Sequence, residues 1–394
     1  MKNSDLLKDL EKCVRCGSCK AYCPTYDEAE TEAMGARGRL TLLRELMLHR
    51  LKPTPVLNDK IFSCILCGAC AGLCPSNVDI TEDIYRGRNI LKQSDKKRRH
   101  LRMLAKFFVQ RPALTFRMSQ ILQYIAFPYL AKKGFIHSNF NLPNVPFKDG
   151  QQVYKVSKPR GRVAIFTGCS INFLYPHLGV SLINILLKAG YEVVVPSGEV
   201  CCGMPLRTLG MEDEAIELAK KNVRIFGKLK VEAVLSLCPA CVLALKNQYP
   251  KMIGKGINAA MDVSSFLLDK LDLHQLSLIA KRPATVTYHD PCHLMYGLGV
   301  KKQPRELLKT IGINVLEKKQ EGCCGSGGLF SLSYRDISNR LLQKQIESHS
   351  ETGAGTIVTA CPGCMMQLSK ASKDRPVFHI IELIEEAYCG SNEL

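Results

Sequence analysis

The apolar positions of the second half of the chain fall into short continuous runs separated by amphipathic stretches. RVAIFTGC reads as a buried strand ending at Cys169, PHLGVSLINILLKAG as a helix closed by a glycine, and YEVVVP as a second strand. MEDEAIELAKKNVRIFGKL then has the spacing of an amphipathic helix and VEAVLSL that of a strand, and a CPAC loop opens the next helix. The same order returns from ATVTYHDPC through INVLEKK, a helix around Tyr334 to Glu347, the strand TIVTA and the loop CPGC. Strands alternating with helices favour parallel sheets covered by helices, so two related α/β lobes are expected, at 161–280 and 281–394. The longest uncharged stretch, Val163 to Leu187, is broken by Gly168, Asn172, Pro176 and Gly179 and belongs in a core rather than a membrane.

The first ninety residues follow a different pattern. CVRCGSCKAYCP recurs as CILCGACAGLCP with every cysteine displaced by 51 positions, and Leu40, Leu43, Leu46 and Met47 predict a helix between the runs. The chain holds 19 cysteines, and the stretch MKNSDLLKDLEKC has no apolar core of signal-peptide type. A reducing cytoplasm is therefore expected, where disulfides do not persist. Both runs have the spacing C-x2-C-x2-C-x3-C followed by proline, which is that of bacterial ferredoxins. Zinc sites built from cysteine usually show two separated C-x2-C pairs instead of triplets. In such runs three thiolates grip one cubane and the fourth cysteine reaches the other. Cys13, Cys16, Cys19 and Cys74 are thus expected to hold one [4Fe-4S] cluster, and Cys64, Cys67, Cys70 and Cys23 the second. Residues 1–90 read as a helical two-cluster ferredoxin domain.

Ten further cysteines form a second duplicated set. Cys169, Cys201, Cys202, Cys238 and Cys241 are matched, 122 or 123 residues on, by Cys292, Cys323, Cys324, Cys361 and Cys364. Each set lies at three strand-to-helix loops, which parallel α/β folds gather at the carboxyl ends of their strands. Five thiols should converge in one pocket per lobe. That exceeds what tetrahedral zinc or an ordinary cubane needs, and so suggests an unusual cluster or one with a reactive corner. Glycines at 168, 203, 325, 327 and 328 are expected to let the backbone pass close to such a cluster. His289 and His293 flank Cys292 as proton donors or partners of a thiolate, or else as loop-filling histidines. Asp290 is expected to begin a helix, and Cys389 lies outside both sets.

The formal charge of +18 is concentrated: between Arg86 and Arg117 eleven Lys or Arg stand against Asp95 alone. Residues 91–160 read as a basic helical linker ending in the proline-punctuated stretch 141–160. Its run KKRRHLRMLAKFFVQRPALTFR is expected to pack an apolar face on the lobes, with peripheral contact to the inner face of the cell membrane as the other reading. No motif accompanies the charge that would indicate nucleic acid. No G-x-G-x-x-G between strand and helix, P-loop or acyl-transfer motif is present, so neither FAD nor NAD is expected on this chain. A relay without such a cofactor needs a partner that oxidises the substrate.

The repeated CCG followed by CPAC or CPGC resembles the cysteine-rich CCG domain of the heterodisulfide reductase family. The resemblance implies noncubane [4Fe-4S] clusters or zinc in the two five-cysteine sets. End to end, including GARGRL and FVQRPALTFR, the chain resembles the iron-sulfur subunit of glycolate oxidase and its lactate-utilization relatives. That likeness implies an α+β multidomain protein, a helical two-cluster ferredoxin domain followed by two α/β CCG lobes with parallel sheets. It also implies an oxidoreductase complex with an FAD-linked 2-hydroxyacid dehydrogenase subunit, relaying electrons to quinone or another acceptor. Two other activities share the architecture: a disulfide reductase acting at the CCG clusters, and anaerobic glycerol-3-phosphate dehydrogenase.

Overall fold

In the computed structural model, residues 3–134, 136–137, 140–148, 150–271, 285–372 and 374–390 are described. The expected boundary between the lobes, at 280/281, lies outside them. The protein is a mixed α/β chain, 54% helical.

The amino-terminal part is built from helices Asn3–Glu11, Ala36–Met47, Pro55–Phe62 and Ile80–Leu91, packed through Leu6, Leu10, Leu43, Ile61 and Ile84. Two caps start its helices: Thr54 accepts from Leu57 N at 3.1 Å, and Asp79 caps the Ile80 helix. At Gly87 a Cβ would lie 2.5 Å from Leu43, so the close approach of two of these helices depends on glycine there.

The first lobe is a five-stranded sheet, β1 (Gln152–Tyr154), β2 (Gly161–Ile165), β3 (Tyr191–Val195), β4 (Ala233–Ser236) and β5 (Ala260–Asp262), in the order β1-β3-β2-β4-β5. The pairs β2–β3, β2–β4 and β4–β5 are parallel, with Val163 opposite Val193 and Ala233. Three residues of the expected linker, Gln152–Tyr154, instead form an antiparallel edge strand on β3. The second lobe orders β6 (Thr285–His289), β7 (Asn314–Leu316), β8 (Ile357–Thr359) and β9 (Val377–His379) as β7-β6-β8-β9, all parallel. The strands β5 and β9 are not read from the sequence, so each lobe has one more parallel strand than expected.

In both sheets the chain reverses direction about a central strand, β2 or β6, and the crevice beyond the carboxyl end of that strand is where such sheets bind ligands. Cys169 follows β2 and Cys292 follows β6. The lobes share one apolar core, which includes Val163, Leu182, Leu235, Tyr288, Leu308 and Ile381. Helices Pro176–Lys188 and Ile380–Cys389 pack across it, with Asn184 Nδ2 donating to Glu385 Oε1 at 2.7 Å.

Buried arginines tie the amino-terminal helices to the lobes. Arg207 of the first lobe pairs with Glu82 and Glu212 and lies over the Tyr85 ring, 4.3 Å from its centroid. Arg88 donates to the carbonyls of Phe62, Cys64 and Thr208. Arg98 pairs with Asp95 and Asp59 and also reaches Tyr334 of the second lobe. Desolvation offsets much of the Coulomb gain of such pairs, so their main effect is to fix one relative placement.

Candidate metal centres

The two ferredoxin-type loops share a backbone form. Arg15 and Leu66, 51 residues apart, both take the left-handed conformation at φ 58° and 61°, and Gly17 and Gly68 follow at 89° and 82°. A left-handed non-glycine residue costs about 1–2 kcal/mol. Its presence in both copies marks a winding imposed by what the loop encloses. One cavity is lined by Cys13, Cys16, Cys19 and Cys74, and a second by Cys23, Cys64, Cys67 and Cys70, so the fourth cysteine of each run lies with the other run's first three.

The donor sets suit a cationic cluster. Burial raises the Cys67 thiol pKa, and burial with the neighbouring Cys64, Cys23 and Cys19 raises that of Cys70. Thiols packed in this way ionise together only with positive charge among them. All of the cysteines are free.

In the first lobe, Cys169 contacts Cys201, Cys201 contacts Cys202, and Cys241 contacts both Cys202 and Cys238. In the second, Cys292 contacts Cys323, Cys323 contacts Cys324, Cys324 Sγ lies 3.5 Å from Cys364 Sγ, and Cys364 contacts Cys361. The spacing of the loops predicts one pocket per lobe, and the five thiols of each lobe lie together in one series of contacts. The two sets also meet, because Cys238 contacts Cys361. Hydrogen bonds from Cys201 and Cys241 bring Cys202 down to about 6, and Cys324 and Cys361 are held well below the usual thiol range by neighbouring thiols. Cys169, Cys241, Cys323 and Cys364 are pushed up by the same contacts.

The ferredoxin part approaches the second lobe at its metal loops. Cys67 lies near enough to Cys292 for that thiolate's charge to raise it, and both line an open cavity of about 940 Å³ together with Cys323. His293 Nε2 is 3.2 Å from the Leu66 carbonyl, between the two sets of loops. His289 is buried against Cys324, and its ring with the sulfurs of Cys324 and Cys364 places three ligating atoms within 4.8 Å. The positions matching these histidines in the first lobe are Phe166 and Ser170, so the duplicated sites differ chemically. Asp290 does not begin a helix through its side chain; it receives both terminal nitrogens of Arg305, at 2.8 and 2.7 Å.

Several supporting residues escaped the sequence reading. Arg37 and Arg39 of GARGRL brace the ferredoxin loops: Arg37 Nη1 donates to Arg15 O at 2.9 Å, and the buried Arg39 donates to Lys60 O, Thr25 and Ser63. Glu199, two residues before Cys201, accepts from Thr167 N, Thr167 Oγ1 and Gly168 N and pairs with Lys148, which fixes the turn into Cys169. Tyr249 donates to Cys202 O at 3.1 Å and receives Asn222. The expectation for the glycines holds in part. A Cβ on Gly168 would lie 3.0 Å from Cys241 Sγ, but those on Gly203, Gly325 and Gly327 would meet Ala215, Ser338 and Ile65, so these three serve chain packing, not access to the thiols.

Comparison with known proteins agrees with this arrangement. The 4Fe-4S dicluster domain family matches residues 9–78, and the Cysteine-rich domain family matches 163–246 and 286–369. The chain is therefore an iron-sulfur protein that joins a dicluster ferredoxin domain to two Cysteine-rich domains. Within that class it belongs with proteins similar to it over nearly all of its own length. The probable glycolate oxidase iron-sulfur subunit of Bacillus subtilis is 29% identical, over 96% of this chain and 94% of that protein. A component of the dihydromethanophenazine:CoB--CoM heterodisulfide reductase of Methanosarcina barkeri is 26% identical, over 97% and 94%. A component of the fumarate reductase (CoM/CoB) of Methanothermobacter marburgensis is 28% identical, over 97% of this chain and 73% of that protein.

Proposed function

We propose that this chain is the iron-sulfur electron-transfer subunit of a flavin-dependent 2-hydroxyacid oxidoreductase, of glycolate or lactate type. It would accept electrons from a partner FAD subunit and deliver them to quinone or another acceptor. The observation that carries the reading is the unbroken succession of cysteines, from the Cys13 set to the Cys64 set, on to Cys292 and, through Cys361 and Cys238, to Cys169. Bound iron-sulfur clusters would supply one-electron transfer at each set. The chain's own residues hold the sets in line: Arg37 and Arg88 fix the ferredoxin loops, Glu199 and Tyr249 the first-lobe loops, and Ser338 the second, by donating to Gly325 O. The glycolate oxidase subunits among the relatives support this reading.

A second reading rests on the trio of His289, Cys324 and Cys364, whose mixed nitrogen and sulfur donors suit zinc in the second lobe. A disulfide reductase of heterodisulfide type, supported by the heterodisulfide reductase relatives, is a separate alternative activity, which zinc in place of iron in these lobes would exclude. The anaerobically purified chain, mixed with a flavoprotein encoded beside it, separates these. Bleaching of the cluster absorbance by glycolate, lactate or glycerol 3-phosphate identifies the donor. Failure of both glycolate and lactate, with glycerol 3-phosphate or a disulfide turned over instead, would overturn the proposal.

A further inference from the structure

Of the twenty large apolar or aromatic side chains exposed among the described residues, eleven lie on two consecutive helices, Arg99–Gln110 and Pro112–Lys132. The first uses Leu101, Ala105 and Val109 to pack on Leu206, Leu209, Met211 and Ala215 of the first lobe. Its second apolar face, with Met103, Leu104, Phe107 and Phe108, points to solvent. The second helix is 21 residues long, yet only Thr115 and Phe116 are buried on it. Phe116 rests on Phe173 with ring centroids 5.4 Å apart, while Ile121, Tyr124 and Ile125 are 72%, 80% and 80% exposed. A face of this kind is larger than a monomeric soluble protein leaves without a purpose.

The charge of the segment itself has one sign, although Lys97 and Lys106 pair with Asp59 and Glu214 of neighbouring elements. From Lys96 to Lys148 the sequence contains no Asp or Glu, and ten Lys or Arg fall between Lys96 and Lys133. Arg98 and Arg102 are buried in pairs with Asp95, whereas Arg99, Arg111, Arg117, Lys132 and Lys133 are exposed around the apolar face. Among the described residues no helix is long and apolar enough to cross a membrane. Cations with Phe, Leu, Ile and Tyr on adjoining faces, in a segment without Asp or Glu, are the composition of helices that lie in an anionic lipid interface.

We propose that this pair of consecutive helices docks the protein on an anionic lipid bilayer surface, with Ile121, Tyr124 and Ile125 entering the acyl boundary and the exposed Lys and Arg contacting headgroups. The pair is backed by the two helices that carry the first-lobe thiol loops: Phe173 ends the Gly168–Phe173 helix that bears Cys169, and Leu206 lies in the Met204–Thr208 helix after Cys202. Docking there would turn the first cysteine set toward lipid, where an acceptor dissolved in the bilayer is met. The docking inference itself is independent of the electron donor assigned above.

The chain has no tryptophan, so Tyr124→Trp gives a single reporter. With the full chain and vesicles of phosphatidylcholine containing phosphatidylglycerol, its emission should shift to the blue and be quenched by brominated acyl chains. Flotation should show binding that salt weakens and that pure phosphatidylcholine does not support. Ile121→Ser with Ile125→Ser should lower partitioning by about tenfold or more. Lys132→Glu with Lys133→Glu should remove the preference for anionic lipid while leaving the fold intact by circular dichroism. Wild-type chain that ignores anionic vesicles would overturn the proposal, as would serine variants that bind equally well. So would wild-type chain that stays off lipid but self-associates through these residues.

Discussion

His379 closes the seam between the lobes, and its protonation gives a prediction with a worked magnitude. The residue ends β9 and caps the Ile380–Cys389 helix, with Nδ1 accepting from Ile381 N at 3.3 Å. The ring proton therefore sits on Nε2, which donates to Leu237 O at 3.2 Å, next to Cys238. Burial lowers its pKa to about 4. The unfolded chain takes up this proton near pH 6.5 and the folded one not until about 4, so the contribution is complete above 6.5 and is lost as the pH falls through 4. A shift of about 2.5 units corresponds to roughly 3 kcal/mol. His379→Asn keeps a short capping group but loses both the titration and the reach to Leu237. It should be less stable than wild type at pH 7 by about 1–2 kcal/mol, the cost of the lost hydrogen bond. That gap should shrink or reverse at pH 4.5. Urea midpoints of both proteins at the two pH values, followed by circular dichroism, check this; a gap of equal size at both would refute the reasoning. Buried His349, held at about 2, acts in the same direction in both proteins, so the difference isolates His379.

Asp83 works with the opposite sign. Burial, then the charge of Asp9, raises it to about 8, so wild type loses stability as pH rises from about 4 to 8, and Asp83→Asn should raise the pH 8 melting temperature and flatten that dependence. Gly325→Ala would set a Cβ 2.5 Å from Ser338 O at φ 80°, which should cost about 2 kcal/mol or more and empty the second-lobe site first; metal analysis should show a partial loss rather than none. Tyr334→Phe removes the hydroxyl that donates to Asp59 O at 2.8 Å and meets Arg98. It should loosen the ferredoxin part from the second lobe by about 1–2 kcal/mol, seen as faster limited proteolysis between residues 91 and 160.

The cysteine spacing was the most legible feature, because a metal site constrains sequence and backbone together. The 51-residue displacement returns in the structure as left-handed residues at 15 and 66. The placing of Cys169, Cys238, Cys292 and Cys361 just beyond strand ends followed from the alternating pattern, since parallel sheets put such loops at one edge. The contacts that join the sets were not legible. Cys238 with Cys361, and Cys67 with Cys292, depend on how the lobes pack, and no periodicity encodes that. The basic stretch was legible only in part: it packs an apolar face on the first lobe as expected. Its apolar residues cover two helix faces, only one of which packs on the first lobe through Leu101, Ala105 and Val109, and sequence spacing does not say which face finds a partner. The edge strand at 152–154 was hidden in a stretch whose prolines read as linker.

The central claim is that four cysteine sets form one continuous relay. Iron, acid-labile sulfide and zinc analysis of the anaerobically purified chain, with electron paramagnetic resonance of the reduced protein, tests it most directly. About sixteen irons per chain, with magnetic interaction between neighbouring centres, is the result predicted. About eight irons, with zinc or nothing in the carboxyl-terminal lobes, would contradict it.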